Sequence, residues 1–301
     1  MVPTVSVIIP AYNREETIIN SIQSVLRQTF SDFEIIVVDD GSKDHTRQII
    51  TEIQDKRVKL IMHKSNLGAA AARNTGMRNA QGKYIAWLDS DDEWHPEKLS
   101  KQISALEISD QTQKACISDY LIEEQDQMRT YTPRIPDRRL LFLGCDLSPG
   151  STLVFEREIL GTIGYLDESL PRYEDWDWLL AYSEQYRFVS VNEPLALIHY
   201  SHHRSAKAIE FSVIRILSKH NNAIKSLGMY GRKIISRRWI EVARYYAQEQ
   251  NWSKTVLSLG KSLLAYPFHS PGAWLLMFDA CMGTRLRQQI EIIKARKKHQ
   301  K

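Results

Sequence analysis

Val5-Ser6-Val7-Ile8-Ile9-Pro10-Ala11-Tyr12-Asn13 opens the chain with a strand-length apolar run that ends in an aromatic ring and an amide. Val5–Ile9 is the predicted first strand. Ile18, Ile22, Val25 and Leu26 then recur at helical spacing, and Phe33–Val38 reads as a second run rich in β-branched residues. Ile49, Ile50 and Ile53 mark a helix, Val58–Met62 a third strand, Ala69–Asn79 a helix and Tyr84–Leu88 a fourth strand. This alternation predicts βα units around a mostly parallel central sheet flanked by helices, an α/β fold. In an open α/β sheet ligands bind outside the carboxyl ends of the strands, so the polar residues closing each strand are expected to face one crevice.

Pro96 suits a first helical turn, and Leu99, Ile103 and Leu106 continue a helical face behind it. Cys116–Ile122, Thr152–Phe155 and Leu195–Tyr200 are strand-like, and the polar, proline-containing stretch Arg129–Arg139 between them reads as a loop. From Ala206 the pattern turns mainly helical. The expected organisation is a domain over 1–205, with a nucleotide half over about 1–110 and an acceptor half over about 111–205, then a helical extension over 206–301. No internal repeat is apparent.

The 301 residues, 43% hydrophobic and 25% charged, lie in the ordinary globular range. Cys116, Cys145 and Cys281 lack metal-ligand spacing and an even count, which argues against a secreted disulfide scaffold. The N-terminus has neither the basic region nor the cleavage site of a signal peptide, and no window approaches the roughly 18 apolar residues of a membrane span, so the expected location is cytoplasmic. The charge of +4 is mild, but Lys294, Arg296, Lys297, Lys298 and Lys301 gather in the tail. With Trp274–Phe278 before it, that tail suggests peripheral contact at the inner face of the cell membrane. Trp239, Trp252, Tyr245 and Tyr246 are expected mostly in the core, and nothing beyond the tail supports nucleic-acid binding.

Trp87-Leu88-Asp89-Ser90-Asp91-Asp92 packs three carboxylates immediately after an apolar strand. Such crowding is unfavourable without a cation, and Mg²⁺ combines one or two carboxylates with substrate phosphates. Turn chemistry also accounts for part of it, with Asp92 as a helix cap. Asp39-Asp40 closes the second strand and runs into Gly41-Ser42-Lys43-Asp44, where aspartates could accept from a nucleobase or ribose and Gly41 lets the chain turn. At the end of the first strand, Tyr12 and Asn13 could sandwich a base or shape the turn.

In this order the motifs resemble glycosyltransferase family 2, inverting enzymes with a GT-A type nucleotide-diphospho-sugar transferase fold. The likeness rests on Val5–Asn13, Val37-Val38-Asp39-Asp40-Gly41-Ser42, Asn66-Leu67-Gly68 with Ala72-Arg73-Asn74, and Leu88–Asp92. Gly164-Tyr165-Leu166-Asp167-Glu168 and Glu174-Asp175-Trp176-Asp177 extend it over roughly residues 4 to 205. The resemblance implies a sugar moved from a nucleotide-diphosphate donor, most commonly a UDP-sugar, to a hydroxyl of a saccharide or lipid-linked acceptor in polysaccharide or glycoconjugate biosynthesis. Asp89 and Asp91 would be the DXD element, with Asp91 the direct ligand of Mg²⁺ or Mn²⁺. Asp40 would contact the base, and Pro10, Tyr12, Asn13, Asp39, Arg73 and Ser90 would complete the donor site. Asp175 would be the general base beside Glu174. Both also sit where a helix opens and negative charge is favoured. His203 best fits a histidine that contacts phosphate or metal, although Ser201 replaces the usual arginine and the spacing to Ser205 is one short.

A dinucleotide-dependent oxidoreductase would need glycines where Pro10–Glu15 has none. A nucleotidyltransferase would need a glycine-rich basic loop after the first strand. A processive membrane synthase would add membrane spans and a Gln-x-x-Arg-Trp element, and here Ile235 precedes Arg238-Trp239. An inactive sugar-nucleotide-binding scaffold is the remaining alternative, opposed by the intact Asp89, Asp91 and Asp175.

Overall fold

The computed structural model describes residues 2–124, 127–133, 138–145, 147–199 and 205–267. The chain divides into two units, Met1–Ser201 and His202–Lys301.

The first unit is built on one sheet. Its strands are β1 (Val5–Ala11), β2 (Phe33–Asp39), β3 (Val58–Met62), β4 (Tyr84–Trp87), β5 (Glu93–Trp94), β6 (Gln113–Glu124), β7 (Gln127–Tyr131), β8 (Val154–Glu156) and β9 (Arg187–Ile198). Their order is β3-β2-β1-β4-β8-β6-β9-β5, with β7 paired to β6. The first four strands, β1 to β4, are mutually parallel, as are β6 and β9, while β8, β5 and β7 join antiparallel. Every residue of β1 and β2 is buried, as expected of strands covered on both faces. The helix Ile18–Leu26 buries Ile18, Ile22 and Val25, which is the face its spacing predicts.

Two features aim the polar strand ends at one place. Ala11 pairs with Asp39 and Ile8 with Trp87, so Tyr12, Asp40 and Asp89 emerge at the same edge. The helix Ala69–Asn79 lies directly on β1 because residue 76 is glycine; a Cβ there would come within 2.4 Å of Ile8 Cγ2.

Several expectations are corrected. β9 begins at Arg187 rather than Leu195, its polar segment Ser190–Pro194 absorbed by register shifts against β6 around Asp119. The stretch Arg129–Arg139 holds the end of β7 and the start of a helix, Arg138–Leu143, with 134–137 outside the described residues. Ser151 and Thr152 belong to a short helix, Pro149–Thr152, and the strand starts at Val154. Pro96 precedes its helix, Lys98–Glu107.

The second unit is helical over its described residues: Ala206–Lys219, Asn221–Ser226, Met229–Gln248 and Trp252–Ala265. The Asn251 side chain caps the last of these by accepting from the Lys254 N–H, and Ile240, Ala243 and Leu259 pack together. Trp239 and Tyr246 are buried, and Trp252 and Tyr245 are partly exposed. Trp274–Phe278 and the basic tail lie outside the described residues. Among the described residues no helix is long and apolar enough to cross a membrane.

Candidate active site

The acidic loop after β4 separates its carboxylates into different environments. Asp89 is 37% and Asp91 24% exposed at the side chain, and Arg14 reaches Asp91 at 3.4 Å. Asp92 is buried, accepting from Ser151 Oγ at 2.5 Å and from the His199 N–H at 2.8 Å. It therefore braces the loop against residue 151 and the end of β9 instead of capping a helix. Burial, and after it the charge of Asp89, raises the pKa of Asp91, and the same two causes raise Asp92 well above its ordinary value. Ser90 is buried and its carbonyl accepts from Thr17 Oγ1 at 2.8 Å.

Below the loop lies a support that the sequence reading missed. The Asp89 N–H donates to Ser151 Oγ at 3.0 Å, and the Trp94 indole donates to the Ser151 carbonyl at 2.8 Å. Gln102 donates to the Thr152 carbonyl at 2.9 Å, and Lys98 donates to Gln102 Oε1 at 2.5 Å. Lys98 is completely buried and stacked over Trp94 at 4.2 Å, and burial lowers its pKa to about 7. Spacing along the chain gives no hint of this cluster; only a lysine inside the helical face Leu99, Ile103, Leu106 could have signalled it.

Asp175 stands in the first turn of the helix Glu174–Tyr182, entered through Tyr173 at φ 65°. It keeps some access to solvent, yet protein crowds its carboxyl. Burial, then the adjacent Glu174, push it up to about 7, opposed by Arg73 and by the Trp176 N–H bonding Oδ1 at 2.7 Å. Arg73 is buried, donating to Glu174 Oε1 at 2.8 Å and to Asp89 Oδ1. Burial opposes its charge, but Asp89, Glu174 and Asp175 outweigh that and raise its pKa.

The residues expected around the base divide into two groups. Tyr12 is 38% exposed at the edge of the sheet, and Pro10 is buried within β1. Asn13, at φ 51°, ties the end of β1 to the neighbouring loop: its N–H donates to Ser42 Oγ at 2.9 Å and its Oδ1 accepts from the Lys43 N–H at 2.9 Å. Asp39 is fully buried, accepting from the Ser42 N–H and from Arg47 Nε at 2.5 Å. Asp40 accepts from the N–H groups of Leu67 at 2.9 Å and Gly68 at 2.7 Å, and pairs with His63 Nδ1 at 2.7 Å, whose Nε2 meets Thr75 Oγ1 at 2.9 Å. Asp39 thus braces the loop that follows β2, and Asp40 the loop that follows β3.

His203 lies outside the described residues. The nearby His199 is described, its Nδ1 4.0 Å from Asp92. Among the described residues no three metal-ligating side chains converge. Asp89 and Asp91 nonetheless suit a hard divalent ion, which needs only one or two protein carboxylates when substrate phosphates complete its shell.

The sequence profile of Glycosyl transferase family 2 matches residues 6–162, which leaves Asp175 beyond the matched span. An Escherichia coli protein, UDP-Glc:alpha-D-GlcNAc-diphosphoundecaprenol beta-1,3-glucosyltransferase WfgD, is 50% identical over 102 residues, covering 34% of this chain and 40% of that one. A second E. coli glucosyltransferase of the same description, WfaP, is 34% identical over 75% of this chain and 87% of its own. The fold matches Staphylococcus aureus TarS 1–349 in complex with UDP-GlcNAc at a TM-score of 0.60 and 19% identity, covering 93% of this chain and 92% of that one. It also matches a Pyrobaculum calidifontis mannosyltransferase in complex with GDP-Man and Mn²⁺ at 0.54 and 17%, covering 94% and 80%. The architecture is the GT-A type, and by profile and by relatives the chain belongs to glycosyl transferase family 2.

Proposed function

We propose that this family 2 glycosyltransferase moves a sugar, with inversion, from a UDP-sugar to a hydroxyl of a lipid-linked saccharide acceptor in polysaccharide or glycoconjugate assembly. The observation that carries the reading is Asp175: a carboxyl whose pKa, about 7, is matched to accepting a proton near neutrality, on the same electrostatic network as the exposed Asp89. Inverting transfer needs one such base, on the face of the sugar opposite the leaving group, and no covalent intermediate. Asp175 would take the acceptor proton as the oxygen attacks. Asp89 and Asp91 would hold Mg²⁺ or Mn²⁺, which when bound offsets charge on the departing diphosphate. Tyr12 offers its ring to the base, and the loops fixed by Asp39, Asp40 and Asn13 shape the nucleotide end. Two relatives named for a diphosphoundecaprenol acceptor support a lipid-linked substrate, hence work at the inner face of the cell membrane, with residues 206–301 as the region of contact beside a catalytic domain over 1–205.

Thermal unfolding against UDP-, GDP- and dTDP-sugars, with and without Mn²⁺, tests this. A ligand at about 100 times its Kd adds roughly 2.7 kcal/mol to native stability. A metal-dependent rise with UDP-sugars, abolished by Asp91→Ala, is expected. A flat response to every donor would leave the inactive scaffold as the better reading.

A further inference from the structure

Arg73 and Asn74 are neighbours on the helix Ala69–Asn79, among small and apolar residues buried with them, and both are polar and almost fully buried. Apart from Asp89, their partners lie far along the chain, between residues 166 and 174. Arg73 spans from Asp89, on the donor loop, to Glu174, the residue beside the base. Asn74 donates from Nδ2 to the Leu166 carbonyl at 2.9 Å and to Glu168 Oε1 at 2.8 Å, and its Oδ1 accepts from the Leu166 N–H at 3.0 Å. The amide thus pairs with the backbone of residue 166 in both directions.

We propose that Arg73 and Asn74 are positioning residues rather than nucleotide ligands: they clamp the segments Gly164–Glu168 and Glu174–Asp177 to the donor carboxylate Asp89. The inference rests on the reading of Asp89 as donor-side and Asp175 as base, and assigns Arg73 a role other than the one the family resemblance implies. Three features support it. A guanidinium presents its donors in a fixed planar fork, and here one terminal nitrogen is committed to each carboxylate while Nε has no hydrogen-bond partner. A phosphate taking the nitrogen that faces Glu174 would leave that buried carboxylate without its partner, which is strongly unfavourable. The helix itself is fixed in place by the contact of Gly76 with Ile8, so the clamp is mounted on β1, whose end forms part of the crevice. Donor carboxylate and base are therefore held at a set separation by a rigid element lying between them.

The test compares Arg73→Lys, which keeps the charge but loses the fork, Arg73→Met, and Asn74→Asp, which keeps the shape but loses the amide donors. UDP binding is followed by calorimetry and turnover by kcat and KM for the donor. Misplacement of a catalytic group by about 1 Å costs on the order of 10²-fold, so kcat is expected to fall by that factor while the Kd for UDP moves by less than about threefold. Because Arg73 and Glu174 act as one unit, Arg73→Lys combined with Glu174→Gln is expected to lose no more turnover than Arg73→Lys alone. UDP affinity falling in step with kcat, or the two losses multiplying, would overturn the clamp. Far-UV dichroism guards against unfolding, and the Lys and Gln variants carry the test if Arg73→Met does not fold. Failure of the unsubstituted protein to bind any nucleotide would remove the donor-site reading and the clamp with it, an outcome distinct from either result above.

Discussion

Gly150 lies so close to the Asp89 carboxylate that a Cβ on it would sit 2.4 Å from Oδ2 and 2.9 Å from Cγ. The backbone here has no special conformation to excuse a glycine, so the reason is room. Gly150→Ala must swing Asp89 away or push back the turn that also holds the Asp89 N–H through Ser151. Since Asp89 is partly exposed, the side chain has somewhere to go. The thermal midpoint is expected to stay within a few degrees, while donor turnover falls on the order of 10²-fold. Unchanged kinetics in Gly150→Ala would mean that Asp89 need not occupy this position.

The pH profile tests Asp175. Its folded pKa, about 7, lies above the ordinary value of 3.8, so the carboxyl is protonated below neutrality and becomes a base only as pH rises. kcat/KM is expected to climb tenfold per unit on the acid side and level off above about pH 7. Asp175→Asn should lower kcat by roughly 10²–10⁴-fold and abolish that limb while UDP still binds. An acid limb that survives the substitution belongs to another group.

The first strands were legible because both faces of β1 and β2 are buried, which writes them as continuous apolar runs. β7 escaped because Gln127–Tyr131 is exposed at every position and has no apolar side to show. The early part of β9 escaped because Asn192, Glu193 and Pro194 interrupt it, tolerated only through irregular register with β6. Within the site, the carboxylates could be picked out because strand ends collect ligands, but their partners could not. Gly150 and Ser151 are distant in sequence from Asp89, and the pairing of Arg73 with Glu174 joins two halves of the domain. Periodicity carries no information about such contacts.

Asp40 separates a structural contribution from a ligand contact. Its carboxylate takes the N–H groups of Leu67 and Gly68 as well as His63. Asp40→Ala strands these donors at a cost on the order of 3 kcal/mol. For a domain of this size that lowers the midpoint by about 6–12 °C in differential scanning calorimetry without ligand. If Asp40 served only a nucleobase, the ligand-free midpoint would not move.

Lys98 makes a prediction about stability alone. Its amine faces Gln102, the Thr152 carbonyl, the Trp94 ring and the Cys116 thiol, which burial pushes up to about 12, with no carboxylate in contact among the described residues. Burial lowers the folded pKa to about 7, against 10.5 in the unfolded chain. Between these values the unfolded state holds more protons than the folded one, so this group's contribution to stability rises with pH from about 7 to 10.5, and below pH 7 its full burial penalty applies. Lys98→Met keeps most of the packing volume and removes the charge. Other groups titrate in the same range, so the informative quantity is the difference between the two proteins. At pH 6 the variant should match or exceed the parent in midpoint, because an unpaired buried charge has been replaced by an apolar side chain. Toward pH 10 that advantage should vanish as the lysine becomes neutral in both states. A constant deficit across the range would mean that Lys98 is held by its hydrogen bonds to Gln102 and Thr152 strongly enough that its charge costs nothing.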